Sequence, residues 1–222
     1  MTVVGVGHLP HLDWGVAAAP LSGQVESGDV HVVRATDRGV LIAAVDGLGH
    51  GAEAAVAARR AAATLAGAPG DSVISLVRRC HEALRGTRGV VMSLAAFDVG
   101  DETMTWLAIG NVDGVLVRAH PGASRPMEAV VMRSGVVGLR LPTLQASVTS
   151  IMPGDLVVFA TDGIERRFRD RMIEGTNPQE VADRLMASYR KPTDDALVLV
   201  ARYLGREARA VGGSGGEGEA RP

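Results

Sequence analysis

Residues 40–45 form an unbroken apolar run that ends at Asp46, followed by Gly47-Leu48-Gly49-His50-Gly51 and an alanine-rich stretch over 52–65. Apolar runs of about four to eight residues fit buried strands. Closely spaced glycines permit positive φ and close backbone approach, and alanine is the best helix former. The pattern predicts strand, tight glycine turn, helix, with Asp46 at the strand end. Upstream, residues 29–36 carry Val30, Val32 and Ala35, broken by His31 and Arg34, and lead through Asp37-Arg38-Gly39 into the 40–45 run. Two strand-like runs joined by three residues with a glycine predict a hairpin. Its pairing sets Asp29, near the start of one strand, across from Asp46, near the end of the other.

The rest of the chain follows the same punctuation. Residues 3–9 read as a first strand. Residues 10–23, with two prolines and little periodicity, read as a loop in which Trp14 is a packing residue. Gly67 to Gly70 stops the first helix, and Asp71 or Ser72 caps a second. Val73, Leu76, Val77, Cys80 and Leu84 recur there at helical spacing, with His81 beside that buried face. Past Gly89 the period shortens, and strands are expected within 90–99, 103–109, 113–119, 127–132, 144–151 and 156–160. Thr161-Asp162-Gly163 closes the last of these. A basic helix over 164–172, a further helix opened by Pro178 and a final strand over 196–204, preceded by Asp194-Asp195, complete the pattern. Short strands at turn spacing suggest a sandwich rather than a doubly wound parallel sheet. Residues 206–222 are rich in Gly, Glu, Arg and Ala and read as a disordered tail, leaving one domain over 1–205.

Composition narrows the function. The chain has 222 residues, enough for a real core, and 23 basic against 25 acidic side chains. Neither nucleic acid nor an anionic membrane is called for by that balance. Aromatic residues at 3% argue against a base-stacking surface. One cysteine, Cys80, rules out an internal disulfide and a cysteine zinc cluster. With no evident signal peptide and no run near the ~20 apolar residues of a membrane span, a cytoplasmic protein is expected.

Three aspartates stand at strand borders, each beside an apolar run: Asp46 and Asp162 after strands, Asp195 before one. Taken singly, each is a common turn residue. Taken together they make a carboxylate cluster that repels itself unless cations enter. Oxygen-only donors point to Mg²⁺ or Mn²⁺, and two such ions sharing a carboxylate can activate water for in-line attack on a phosphate.

Asp-Gly-Leu-Gly-His-Gly after one apolar strand, Thr-Asp-Gly-Ile-Glu after a second, and Asp-Asp-Ala-Leu-Val-Leu-Val near the end resemble the metal-dependent PPM-type protein phosphatases. Within them the resemblance is to the compact bacterial SpoIIE/RsbU/RsbX branch, nearest RsbX-like members in turn sequence and length. It implies an α+β fold, an α-β-β-α sandwich of two central antiparallel sheets flanked by helices. It implies two Mg²⁺ or Mn²⁺ ions, with a third allowed. Asp46 would bridge them, the Gly47 carbonyl would ligate one, Asp162 and Asp195 would hold the other, and Asp29 would contact bound water. Asp194 is the neighbouring acid that could replace Asp195. The implied reaction is hydrolysis of phosphoserine or phosphothreonine on a regulatory protein of a stressosome or anti-sigma pathway. The phosphate-binding Arg that larger members place before the first acid is missing, since Val25, Glu26 and Ser27 precede Asp29. The metals alone, Arg34 or an unidentified residue would then hold the phosphate. His50 and Asn111 adjoin expected strand ends, and Asn111 reads as a turn residue.

Two rival readings remain at this level. A nucleotide-binding module is suggested by glycines before a helix, but their spacing is neither G-x-G-x-x-G nor a Walker A with its lysine. The other rival is a catalytically inactive partner-binding domain of the same fold.

Overall fold

The computed structural model describes residues 3–206 except 69, 121, 124, 171, 172 and 174. The expected tail, from 207 onward, lies outside the described residues. Strands are β1 (Val3–Leu9), β2 (Leu12–Ala19), β3 (Asp29–Thr36), β4 (Gly39–Gly47), β5 (Val90–Asp98), β6 (Thr103–Ile109), β7 (Asp113–Val117), β8 (Met127–Ala129), β9 (Met132–Arg133), β10 (Ser147–Ser150), β11 (Leu156–Ala160) and β12 (Ala196–Tyr203). Helices are α1 (Ala52–Ala66), α2 (Val73–Ala83) and α3 (Pro178–Tyr189), with a 3₁₀ turn at Arg166–Asp170.

The strands form two sheets, one ordered β1-β2-β12-β11-β7-β8 and the other β10-β6-β5-β4-β3. The pairings along both are antiparallel; β9 joins β6 in parallel at the side of the second. Strand alternation sorts the side chains into layers. From β4, Val40, Ile42 and Ala44 face the other sheet, while Leu41, Ala43 and Val45 face α1 and α2. From β12, Leu197, Leu199, Ala201 and Tyr203 face inward, while Ala196, Val198 and Val200 meet α3 and the 3₁₀ turn. The result is four layers: α1 and α2, sheet, sheet, α3.

Local chemistry explains the helices. Small side chains on one α1 face, Ala54, Ala57, Ala58 and Ala61, let the helix lie close on the sheet. The Ser72 hydroxyl accepts from the Ser75 N–H and caps α2. The Asn177 side chain caps α3, with Pro178 in the first turn. His81 is a strut, its Nδ1 meeting the Gly138 N–H at 3.0 Å.

Two expectations need correction. Residues 10–23 are not all loop, because β2 runs through them between β1 and β12. Pro10 and His11 form only the hairpin turn, with Leu9 paired to Leu12. Trp14 packs against the inter-sheet core, as expected, its ring 5.4 Å from that of His31. The basic helix expected over 164–172 is a single 3₁₀ turn, and its last two positions lie outside the described residues.

Candidate metal centre

The site is built by strand ends. In the β3–β4 ladder Asp29 pairs with Asp46, so the hairpin itself sets two carboxylates side by side. Alternation along β4 points Asp46, like Ala44 and Ile42, into the gap between the sheets. The opposite sheet supplies the partners. Thr161, one residue past β11, donates its hydroxyl to Asp29 Oδ2 at 2.7 Å and accepts the Leu197 N–H at 2.8 Å. One hydroxyl thereby ties the two sheets together beneath the acids. Asp162 follows, and Asn111 Nδ2 donates to its Oδ2 at 2.6 Å. Gly163 is required by proximity: a Cβ there would stand 1.8 Å from the Asp195 carbonyl oxygen.

Asp194 and Asp195 differ in placement. Asp194 lines an open cleft of about 370 Å³ together with Asp46, Leu48, His50, Asn111 and Asp162. Asp195 is buried behind it and does not line that cleft. Its two carboxylate oxygens accept the Leu21 N–H at 2.7 Å and the Gly28 N–H at 2.8 Å. Asp29 is likewise buried, and Gly47 lies at the end of β4 with its N–H donated to the Gly28 carbonyl.

The electrostatics are those of crowded acids. Burial raises Asp29 well above the usual carboxylate range; Asp195, Asp162 and Asp194 add to this, against the Thr161 hydrogen bond. Asp46 is pushed up to about 9, first by burial and then by the charges of Asp29, Asp162, Asp194 and Asp195. Asp162 is raised by burial and by Asp194, with Lys191, Asn111 and Arg166 opposing. The Lys191 ammonium donates to the Asp162 carbonyl, and its backbone N–H to that of Gly163. Among the described residues, no three Asp, Glu, His or Cys side chains already close around a single point. Mg²⁺ needs no such cage, because it keeps several waters and takes only one or two carboxylates. An all-oxygen donor set, raised carboxylates and an open cleft therefore fit hard divalent cations.

Several of these groups carry no local signal in the sequence. Asn111, read as a turn residue and lying between β6 and β7, also fixes Asp162. Asp113 is buried and accepts from Arg169 at 3.0 Å, with Arg166 Nε at 3.4 Å, holding the 3₁₀ turn beside Asp162. Arg34, considered for phosphate, lies elsewhere. It pairs with Leu41 along β3 and lines a hollow with Ser72 and Val73 at the start of α2.

Four layers with an acid-lined cleft at the strand ends define a PPM-type phosphatase fold. The model of the stage II sporulation protein E (SpoIIE) family matches residues 36–204, and the chain belongs to that family. It is 21% identical over 179 residues to the phosphoserine phosphatase RsbX of Bacillus subtilis (strain 168), covering 80% of this chain and 88% of RsbX. Among solved structures, RsbX in complex with magnesium superposes with a TM-score of 0.80 at 20% identity, over 90% of this chain and 100% of that one. A chain from work on the bacterial stressosome, described as a modular system adapted to control secondary messenger signaling, gives a TM-score of 0.76 at 26% identity. That match covers 86% of this chain and 99% of the other.

Proposed function

We propose that this chain is a Mg²⁺- or Mn²⁺-dependent phosphatase that removes phosphate from phosphoserine or phosphothreonine on a bacterial regulatory protein. The observation that carries the reading is the convergence of Asp46, Asp162 and Asp194 from separate strand ends on one cleft, with buried Asp29 paired to Asp46 beside it; Asp29, Asp46 and Asp162 are raised by burial and mutual repulsion. Such a cluster is costly without cations and favourable with them. The same carboxylates disfavour a nucleotide phosphate on the glycine turn.

Asp46 and the Gly47 carbonyl would hold one ion and share Asp46 with a second. Asp162 would hold the second, with Asp194 or Asp195 beside it. The cleft geometry supports Asp194, because the Asp195 oxygens already accept two backbone N–H groups. When bound, the cations would supply an acidified water and neutralise phosphoryl charge. The chain's own groups do the positioning. Asn111 holds the Asp162 carboxylate in one orientation, and Thr161 fixes Asp29 from below. Asp195 secures the loop that leads into β3.

Similarity to RsbX and to a stressosome chain supports a phosphorylated stressosome or anti-sigma component as substrate. Among the described residues no helix is long and apolar enough to cross a membrane. The test is hydrolysis of p-nitrophenyl phosphate and of a phosphoserine peptide with Mn²⁺ and with EDTA, beside calorimetric Mn²⁺ titration. Turnover that needs the metal is expected. Metal binding without turnover would favour an inactive partner-binding domain, and full turnover in EDTA would overturn the mechanism.

A further inference from the structure

No lysine or arginine among the described residues lines the acid cleft itself, so a cation for the substrate phosphate has to reach in from beside it, and Lys191, Arg166 and Arg88 are candidates. Lys191 already donates to the Asp162 carbonyl. Arg166 is drawn to Asp113. Arg88 is different. Its neighbour Gly89 accepts the Leu48 N–H at 3.1 Å, which staples this segment to the glycine turn at the cleft. Its guanidinium lies over Gly49, a cleft-lining residue with φ of 89°. A Cβ at Gly49 would stand 2.7 Å from Arg88 Nη1, so the guanidinium tip lies against the backbone of the glycine turn. Nη2 is ion-paired with Glu53 in the first turn of α1. Both partners are more than half exposed, at 51% and 71%. A pair that exposed contributes at most about 1 kcal/mol to stability, so the fold does not depend on it.

Resting on the proposed phosphatase activity, we infer that Arg88 is the residue that binds the phosphoryl group of the substrate at the rim of the cleft. Glu53 holds the guanidinium through Nη2, and Nη1 is presented on the Gly49 side. A phosphate dianion is a stronger partner for this planar fork than a lone exposed carboxylate. Arg88 thus supplies, from the segment before β5, the positive charge that the segment before Asp29 lacks. It makes no claim on the peptide around the phosphorylated residue.

The test compares wild type, Arg88→Ala, Arg88→Lys and Glu53→Gln in saturating Mn²⁺. Substrates are p-nitrophenyl phosphate and a phosphoserine peptide, with inorganic phosphate as inhibitor. Arg88→Ala should raise KM on both substrates and weaken inhibition by phosphate about ten- to a hundredfold, the worth of charge-assisted hydrogen bonds. Its melting temperature and Mn²⁺ affinity should match wild type. Arg88→Lys should recover part of the loss, and Glu53→Gln should show a smaller defect of the same kind. Unchanged KM and phosphate inhibition in Arg88→Ala would overturn the assignment. So would a defect confined to the peptide, which would make Arg88 a reader of flanking residues. An inactive wild type would instead remove the phosphatase reading itself.

Discussion

The Asp195 carboxylate holds the Gly28 backbone: the Gly28 N–H donates to Oδ2 at 2.8 Å, while Oδ1 accepts from Leu21 at 2.7 Å. One buried side chain thus closes the segment between β2 and β3 and fixes the entry to Asp29, which pairs with Asp46. Its neighbour Asp194 lines that cleft and accepts the Asp195 N–H at 2.9 Å. The two acids should therefore separate on mutation. Asp195→Ala orphans two N–H groups and should cost about 2–3 kcal/mol without any metal present. Asp194→Asn should leave metal-free stability near wild type but reduce the rise in melting temperature on adding Mn²⁺. Thermal melts of both variants, in EDTA and in Mn²⁺, check this; the reverse pattern would return the ligand role to Asp195.

Gly163→Ala tests how tightly the ends of β11 and β12 must approach. The added methyl would meet the Asp195 carbonyl at 1.8 Å, a backbone atom that cannot swing aside. Overpacking of this kind costs about 1–3 kcal/mol. Because the clash separates Asp162 from Asp194, Mn²⁺ affinity should fall along with stability. Calorimetric titration of the folded variant measures the second effect. Unaltered affinity would show that the two acids do not act on one ion.

Cys80 is fully buried in the layer formed by α1, α2 and the sheet beneath them, and burial pushes its thiol up to about 12. The native protein should resist iodoacetamide at pH 8, and Cys80→Ser should retain activity within a few-fold, because the thiolate is the reactive form. Rapid alkylation that abolishes turnover would contradict this placement.

Legibility followed the period of the chain. The β3–β4 hairpin was readable because apolar residues led directly into Asp46, and the turn Asp37-Arg38-Gly39 set the pairing of Asp29 with it. The cap at Asp71 or Ser72 and the placement of Pro178 were equally local signals. β2 was not readable: Pro10 and Pro20 flank it, Gly15 interrupts it, and a strand lying between β1 and β12 lacks the alternation of a half-exposed one. The same cause leaves the choice between Asp194 and Asp195 open in the sequence. Residues 196–201 are apolar at every position, so nothing in the sequence says which parity faces inward. Asn111 looked like a turn residue and Thr161 carried no signal of its own, because their partners, Asp162 and Asp29, are 51 and 132 residues distant.

Asp46→Asn carries the sharpest expectation, because its effect should change sign with metal. In the metal-free fold Asp46 is raised from 3.8 to about 9 by burial and by four neighbouring aspartates. Between those two values the folded chain binds more protons than the unfolded one, so this group makes stability fall as pH rises across that window. The amide has no charge to bury, and Asp46→Asn should be as stable as wild type or more so in EDTA, with a flatter dependence on pH. A divalent cation competes with the proton for the same oxygens, so the stabilisation of wild type by Mn²⁺ should grow from pH 6 to pH 8. The amide is a weaker ligand for a hard cation. By mass action the variant should therefore show a smaller rise in melting temperature at equal Mn²⁺, together with loss of turnover. Melting curves of both proteins at pH 6 and 8, in EDTA and in Mn²⁺, measure each part. Equal metal-induced shifts in the two proteins, or an Asp46→Asn variant that turns over normally, would take Asp46 out of the metal centre.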